Sequence, residues 1–177
     1  ATLGFLQALA PDLILSYGCH KLAPAVLARA GRYAWNVHGG LSPWSRGVAT
    51  HFWPSYLLEP QMTGMTLHRT TGRLDGGAII HQTAAPMVRG DGLHDLAARA
   101  VKGFADELPD LLRRVAAAAE PVTGRRQRGT GRLWTAEMWR PEHLPLIYEH
   151  HQDRIVDRVL DGDLVGREPK LVTAVGI

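Results

Sequence analysis

Cysteine is almost absent. A single residue, Cys19, stands among 177, which excludes an intrachain disulfide and fits a reducing compartment. A cytoplasmic location is therefore expected. No apolar run approaches the length of a bilayer span and no signal-peptide pattern opens the chain, so no membrane partner is expected. Charge of one sign is also scarce. The formal net charge is +3, a mild basic bias far short of a nucleic-acid-binding stripe. Internal repeats and low-complexity segments are missing. What remains is 45% hydrophobic and 21% charged, the composition of one globular domain with a sizeable core. There is no initiator Met, and "ATLGFLQALAPDLILSYG" opens in a helical pattern. The expectation is that this chain begins inside a longer natural one.

The elements follow from periodicity and punctuation. "LGFLQAL" reads as a short helix stopped by Pro11, and "DLILSYG" as a strand buried on both faces. "APAVLARAG" is a short helix with Pro near its start and Gly31 at its end. "RYAWNVH", "GMTLHRTT" and "GAIIHQTAA" are strands, the last two joined by the turn-rich "GRLDG". A long helix is expected from about Gly92 to Ala118, with Leu93, Leu96, Ala97, Ala100, Val101, Phe104 and Leu108 as its buried stripe. Asp91 is its expected N-cap, and Pro109 should kink or split it. "TGRRQRGTGRLW" reads as a basic loop, and "RPEHLPLIYEHHQDRIVDRVLDG" as a helix with Ile147, Ile155, Val156, Val159 and Leu160 on its apolar side. Strands alternating with helices predict an α/β layer structure with a largely parallel sheet.

In such a sheet, ligands bind beyond the carboxyl ends of the strands. "WNVHGGLSPWSRG" places Asn36 and His38 at one of these ends. Residues two apart on a strand point to the same side, so both side chains can face one crevice. Gly39 and Gly40 then let backbone approach a ligand closely. Asp75 lies in a Gly-flanked loop between two strands, where packing has no need of an acid. Asn can donate to an oxyanion, His can exchange a proton near neutral pH, and Asp can hold the His and favour its protonated form. That set suits attack of a neutral amine on a carbonyl without a Ser or Cys nucleophile. The same residues also suit a plainer arrangement: Asn36 capping a turn, His38 a hydrogen-bonded core histidine, Asp75 an Asx-turn residue.

Several segments together resemble one family. "WNVHGGLSPWSRG" is similar to the formyltransferase pattern Asn-x-His, then Pro-Ser-Leu-Leu-Pro, then Arg-Gly or Lys-Gly. "TGMTLHRTTGRLDGGAIIHQ" resembles its Thr-Gly-Val-Thr and Leu-Asp-Thr-Gly segments and the strand that ends in Gln. "PDLILSYGCHKLAPAVL" resembles the strand and loop before the catalytic Asn. The likeness spans roughly residues 5–128, in order. It implies a Rossmann-like formyltransferase fold, lacking its N-terminal half in this chain, with a catalytic core over 1–128 and a helical extension over 129–177. It implies formyl transfer from 10-formyltetrahydrofolate, with Asn36, His38 and Asp75 as the matched catalytic triad. It also implies a slot in which backbone of two loops holds the pterin. By position these are Cys19, His20, Lys21 and Leu22, and Thr71, Gly72, Arg73 and Leu74. "HGGLSP" and "LDGG" depart from the pattern without removing a catalytic side chain; both alter the wall of the acceptor site.

Members of this family formylate methionyl-tRNA, glycinamide ribonucleotide or nucleotide-linked amino sugars, or hydrolyse formyltetrahydrofolate. The short tail after Gly131 does not resemble the β-barrel of the tRNA enzyme, so a nucleic-acid partner is not expected. A small amine acceptor is what remains, on an amino sugar nucleotide or a secondary metabolite. Water as acceptor and a non-catalytic folate-binding domain are the other readings, and a homo-oligomer or a fused domain is compatible with all three. Of the other candidates, His143, His150 and His151 lack a ligand set for a metal and read as solvated helix residues. Trp35 and Trp53 read as core, and Trp44 as an acceptor-site wall. Arg125, Arg126, Arg128 and Arg132 read as a solvated basic loop that can grip phosphate.

Overall fold

The computed structural model describes residues 2–129 and 131–174. Its strands are β1 (Leu13–Tyr17), β2 (Tyr33–His38), β3 (Ser45–Gly47), β4 (Gly64–Arg69), β5 (Ile79–Ala84) and β6 (Arg132–Trp134). Its helices are α1 (Thr2–Leu9), α2 (Pro24–Leu27), α3 (Trp53–Tyr56), α4 (Leu93–Ala117) and α5 (Ile155–Leu160). The main sheet has the order β1-β2-β4-β5, and β3 pairs separately with β6. The α/β layering is the one expected from the sequence. Among these described strands the main sheet is mixed: β1 and β2 are parallel, while β4 runs antiparallel to both β2 and β5. The link from Arg69 to Ile79 holds no helix, and parallel neighbours need a crossover of a dozen residues or more.

Strand alternation divides the sheet into two chemically opposite faces. Trp35 and Val37 on β2 and Met65 and Leu67 on β4 join one apolar cluster with Leu96, Ala100, Phe104, Leu111 and Val115 of α4. Each large member of that stripe contributes about 1.5–3 kcal/mol by leaving water. The intervening residues Asn36, His38, Thr66 and His68 are polar, and register pairs Asn36 with His68 and His38 with Thr66. A bulge between Leu67 and His68 leaves Ile80 as an extra residue in β5, and Ile80 turns into the apolar cluster.

Four expectations are corrected here. β1 is only half-buried, because it is an edge strand of the described sheet and α1 beside it has no buried residue. The cap of α4 is Gly92, not Asp91. Its terminal amides are taken by two carboxylates, Asp95 (3.0 Å from Gly92 N) and Asp153 (2.8 Å from Leu93 N). Asp91 instead holds Arg99 at 2.7 Å. Pro109 neither splits nor ends α4; it and Ala105, whose carbonyl loses its donor, both lie on the exposed side, where water can satisfy that carbonyl. The C-terminal region is not one helix. It breaks into 3₁₀ turns at Ala136–Met138 and Pro141–His143, a π-turn at Leu146–His150, and α5. Pro141 and Pro145 interrupt the helical bonding, and Gln152 and Asp153 both have positive φ.

The segment read as a basic loop carries β6, which returns to the core. Trp134 stacks on Trp53 at 3.9 Å between ring centroids and 6° between planes. Gly47, at φ +96°, sits where a Cβ would overlap the Trp134 carbonyl. Gly47→Ala should therefore destabilise the protein by about 1–3 kcal/mol, through both φ and overlap. Gly103, inside α4 with open space around its Cα, should behave oppositely: Gly103→Ala should stabilise by about 0.5–1 kcal/mol. Urea midpoints at constant m-value check both.

Candidate active site

The polar face of the sheet carries a connected layer of side chains. On β1, the Ser16 hydroxyl donates to Asn36 Oδ1 at 2.8 Å. Asn36 Nδ2 then lies 3.3 Å from His68 Nε2. The other His68 nitrogen, Nδ1, donates to the Arg69 carbonyl at 3.0 Å, which sets Nε2 between the Asn36 amide and Asp75 Oδ1. Asn36 is thereby oriented at both ends. One N–H of its amide remains free.

His38 and Asp75 complete the layer. Both are buried, at 6% and 7% exposure. His38 Nε2 donates to the Ser45 carbonyl at 3.0 Å, and its Nδ1 lies 3.5 Å from Asp75 Oδ2. The other carboxylate oxygen is 3.4 Å from His68 Nε2. The Gly47 amide donates to Asp75 Oδ2 at 2.9 Å. Asp75 has positive φ, and its loop is pinned by Gln127, whose Nε2 donates to the Asp75 and Gly77 carbonyls at 2.8 and 2.7 Å. Behind it, Gln82 donates to the Ser42 carbonyl at 2.6 Å and to the Thr66 hydroxyl at 3.0 Å. The loop from Gly39 to Gly47 is thus fastened to the sheet from beneath.

The electrostatics follow from burial. Removal from water holds the His38 imidazole below its ordinary value, against the opposing pull of Asp75 and the Ser45 carbonyl. Asp75 does favour the protonated imidazole, as the sequence reading has it, but burial outweighs it and His38 rests neutral. Burial alone would raise Asp75, but His68, His38 and the Gly47 amide together bring its carboxyl below the usual range. The pair is therefore a neutral imidazole facing a carboxylate. On taking a proton at Nδ1, the ring would meet an acceptor at each nitrogen.

The two loops read as a ligand slot line one cavity of about 150 Å³. Cys19, His20, Lys21 and Leu22 form one wall, Gly72, Arg73 and Leu74 the other, and Ser16, Asn36 and His68 the floor. Lys21 Nζ donates to the Gly72 carbonyl at 3.2 Å, joining the two walls. His68 is the residue that the sequence reading passed over. The signal was present: "TLH" on β4 repeats the polar-x-polar spacing of "NVH" on β2, and register sets the two motifs side by side.

Other candidates lie elsewhere. Trp35 and Trp53 are core residues, each 2% exposed. Trp44 lines a separate cavity with Trp53, Trp134, Arg132 and Arg167, and none of Asn36, His38 and Asp75 borders it. Of the basic residues, Arg125 bridges Ile79 and Arg132 covers the Trp134 ring at 4.7 Å. His150 is exposed, but His143 packs on Tyr56 and His151 is buried against Arg158; these two are not solvated, because the tail folds back onto α3. Among the described residues no group of His, Cys, Asp and Glu is placed to hold a metal ion, and no helix is long and apolar enough to cross a membrane.

The charge pattern predicts two pH effects. Asp75→Asn removes the group that pulls the His38 value upward, so His38 should titrate still lower in the variant, as histidine NMR would show. The native pair also sets acid sensitivity. Unfolded His38 takes a proton near 6.5 while the buried ring resists it, so its contribution erodes stability as pH falls below about 6.5. The Asp75 contribution is present above its unfolded value of about 3.9 and is lost only as pH falls through its lower folded value. Denaturant midpoints between pH 8 and 5 should fall less steeply in His38→Gln.

Comparison with known proteins now adds to the geometry. The family model described as formyl transferase matches residues 1–111. The formyltransferase PseJ from Anoxybacillus kamchatkensis, solved with UDP-4,6-dideoxy-4-formamido-L-AltNAc and tetrahydrofolate, superposes with a TM-score of 0.60 at 23% identity, over 81% of this chain and 74% of that one. Glycinamide ribonucleotide transformylase 1 from Symbiobacterium toebii gives 0.60 at 27% identity, over 73% and 61%. HypX from Aquifex aeolicus, solved with tetrahydrofolic acid, gives 0.63 at 17% identity, over 80% of this chain but 23% of its own. The likenesses below 25% identity establish the fold. With a family model covering more than half of its length, and with that fold, the chain belongs to the formyl transferase family.

Proposed function

We propose that this protein transfers the formyl group of 10-formyltetrahydrofolate to a primary amine of a small acceptor. The observation that carries the reading is one juxtaposition: Asn36, His38 and Asp75 share a polar layer, and Asn36 forms the floor of the slot between the two backbone loops. The slot suits a folate ring. The two loops that wall it would offer main-chain donors and acceptors to a heterocycle, as the family resemblance implies, and its apolar members Leu22 and Leu74 can cover ring faces. The tetrahydrofolate bound to PseJ and to HypX supports the same donor.

When bound, the donor supplies an activated formyl carbon. The free N–H of Asn36 is placed to stabilise the oxygen as charge develops on it. His38, neutral at rest, accepts the proton that the attacking amine loses, and the Asp75 carboxylate stabilises the imidazolium so formed. The new carbon–nitrogen bond forms to the amine, the bond to N10 of the donor breaks, and the proton passes to N10. The products are the formamide and tetrahydrofolate. His68 fixes the Asn36 amide and contacts the second Asp75 oxygen, a positioning role that links the oxyanion donor to the proton acceptor.

Asn36→Ala should lower turnover by about a hundred- to a thousand-fold. The losses from His38→Ala and Asp75→Ala should not multiply in the double variant, since the two act as a unit. Folate affinity should survive in all three, because in this reading the two loops hold the ring through their main chain. Tetrahydrofolate release with parallel donor titrations measures both quantities. Near-normal turnover in the Asn36 and His38 variants would sink the mechanism, and formate release unaffected by added amine would identify water as the acceptor.

A further inference from the structure

Asp75 is held from a part of the chain some fifty residues further on. Residues 124–129 run beside residues 75–79. Arg125 exchanges both main-chain hydrogen bonds with Ile79, each at 2.8 Å, in an antiparallel bridge. Two residues on, Gln127 turns its side chain into the Asp75 loop. Its amide nitrogen donates to the Asp75 carbonyl at 2.8 Å and to the Gly77 carbonyl at 2.7 Å. Both amide hydrogens are thus spent on one loop. The Ser42 hydroxyl also reaches the Asp75 carbonyl, but at 3.3 Å. Gln127 lies beyond residues 1–111, the stretch that the family model matches.

Asp75 needs such support. Its φ is +45°, a left-handed conformation that a non-glycine residue keeps where its surroundings impose it. Gly76 and Gly77 follow it and bring no side chains to do so. The carboxylate also has an exacting place to fill. Oδ2 accepts from the Gly47 amide at 2.9 Å and faces His38 Nδ1 at 3.5 Å, while Oδ1 lies 3.4 Å from His68 Nε2. Gln127 fixes the carbonyls on either side of Gly76, and with them the direction in which the carboxylate leaves the main chain. Residues 131–134 brace the other half of the pair. The Arg132 amide donates to the Trp44 carbonyl at 3.0 Å, and β6 lies along β3, whose Ser45 carbonyl holds His38.

We propose that Gln127 is a positioning residue for formyl transfer: by clamping the Asp75 and Gly77 carbonyls, it holds the Asp75 carboxylate against the His38 imidazole. The inference rests on the formyl-transfer reading and adds to it a residue that does not line the slot. The charged and titratable groups that act on His38 are Asp75, His68 and His51. Of these, only Asp75 belongs to the clamped loop. Released from the clamp, the carboxylate would swing away from a ring that burial already keeps neutral. The proton lost by the attacking amine would then meet a poorer acceptor.

Gln127→Met keeps the length of the side chain and removes both donors. Histidine NMR gives a readout independent of turnover. The His38 titration should move downward in this variant, toward its value in Asp75→Asn, because the Asp75 carboxylate is what pulls it up. Tetrahydrofolate release from 10-formyltetrahydrofolate, with a uridine-diphosphate amino sugar as the probe amine, should slow about ten- to a hundredfold. Calorimetric affinity for 5-formyltetrahydrofolate should be kept. In an Asp75→Asn background the same change should cost less than about twofold, since Gln127 acts through Asp75. Val115→Ala, a truncation in the α4 core, is the control for a merely structural loss: it should lower the urea midpoint and leave the His38 titration in place. An unmoved His38 titration in Gln127→Met, or a loss of turnover as large with Asn at position 75 as with Asp, overturns the inference while leaving formyl transfer intact. Absence of tetrahydrofolate release by the unaltered protein, with the amine or without it, counts against the formyl-transfer reading, and the titration still decides whether Gln127 sets Asp75 against His38.

Discussion

Everything at the site depends on the register between β2 and β4. Pairing Asn36 with His68 and His38 with Thr66 puts four polar side chains on one face and Trp35, Val37, Met65 and Leu67 on the other. A slip of one residue would push the polar set under α4 and the apolar set into the crevice, which makes slippage prohibitively costly. The hydrophobic core therefore does more than hold the domain together. By choosing which side of the strands faces α4, it also decides which residues can reach a ligand. The catalytic arrangement is the reverse side of the packing arrangement.

The polar layer is stable because nearly all of its members are engaged. Ser16 and His68 fix Asn36, the Ser45 carbonyl fixes His38, and the Gly47 amide and the two imidazoles surround Asp75. Gln82 and Gln127 bond the carbonyls of the two loops that close over the layer. Partly satisfied buried networks are expensive, whereas satisfied ones rigidify a site. One gap is informative. The 3.5 Å between His38 Nδ1 and Asp75 Oδ2 is longer than a short charged hydrogen bond, which fits a pair that comes together when a proton arrives.

Much of this was legible in the sequence because it depends on local chemistry. Asn36 and His38 stand out as polar residues two apart at the end of an apolar strand, and Asp75 as an acid among glycines. The apolar stripe of α4 gave the helix and its buried face. What was not legible depended on partners distant in the chain. His68 looks like an ordinary strand residue until Asn36 is set opposite it. Asp153 caps α4 from sixty residues away, so the local cap at Asp91 was the natural but wrong choice. The protonation of His38 turned on burial, which the spacing of residues cannot express. The tail looked helical because its composition is, yet two prolines and the return of β6 to β3 divide it.

The central claim is that Asn36 and His38 meet the formyl group in the cleft between the two loops. The most direct measurement uses 5-formyltetrahydrofolate labelled with ¹³C at the formyl carbon, bound to ¹⁵N-labelled protein. The account predicts nuclear Overhauser contacts from the formyl proton to the Asn36 side-chain amide, and a shift of the His38 ring resonances. Contacts confined to Trp44, Trp134 and the loop around Arg126, with the Asn36 amide unmoved, would contradict it.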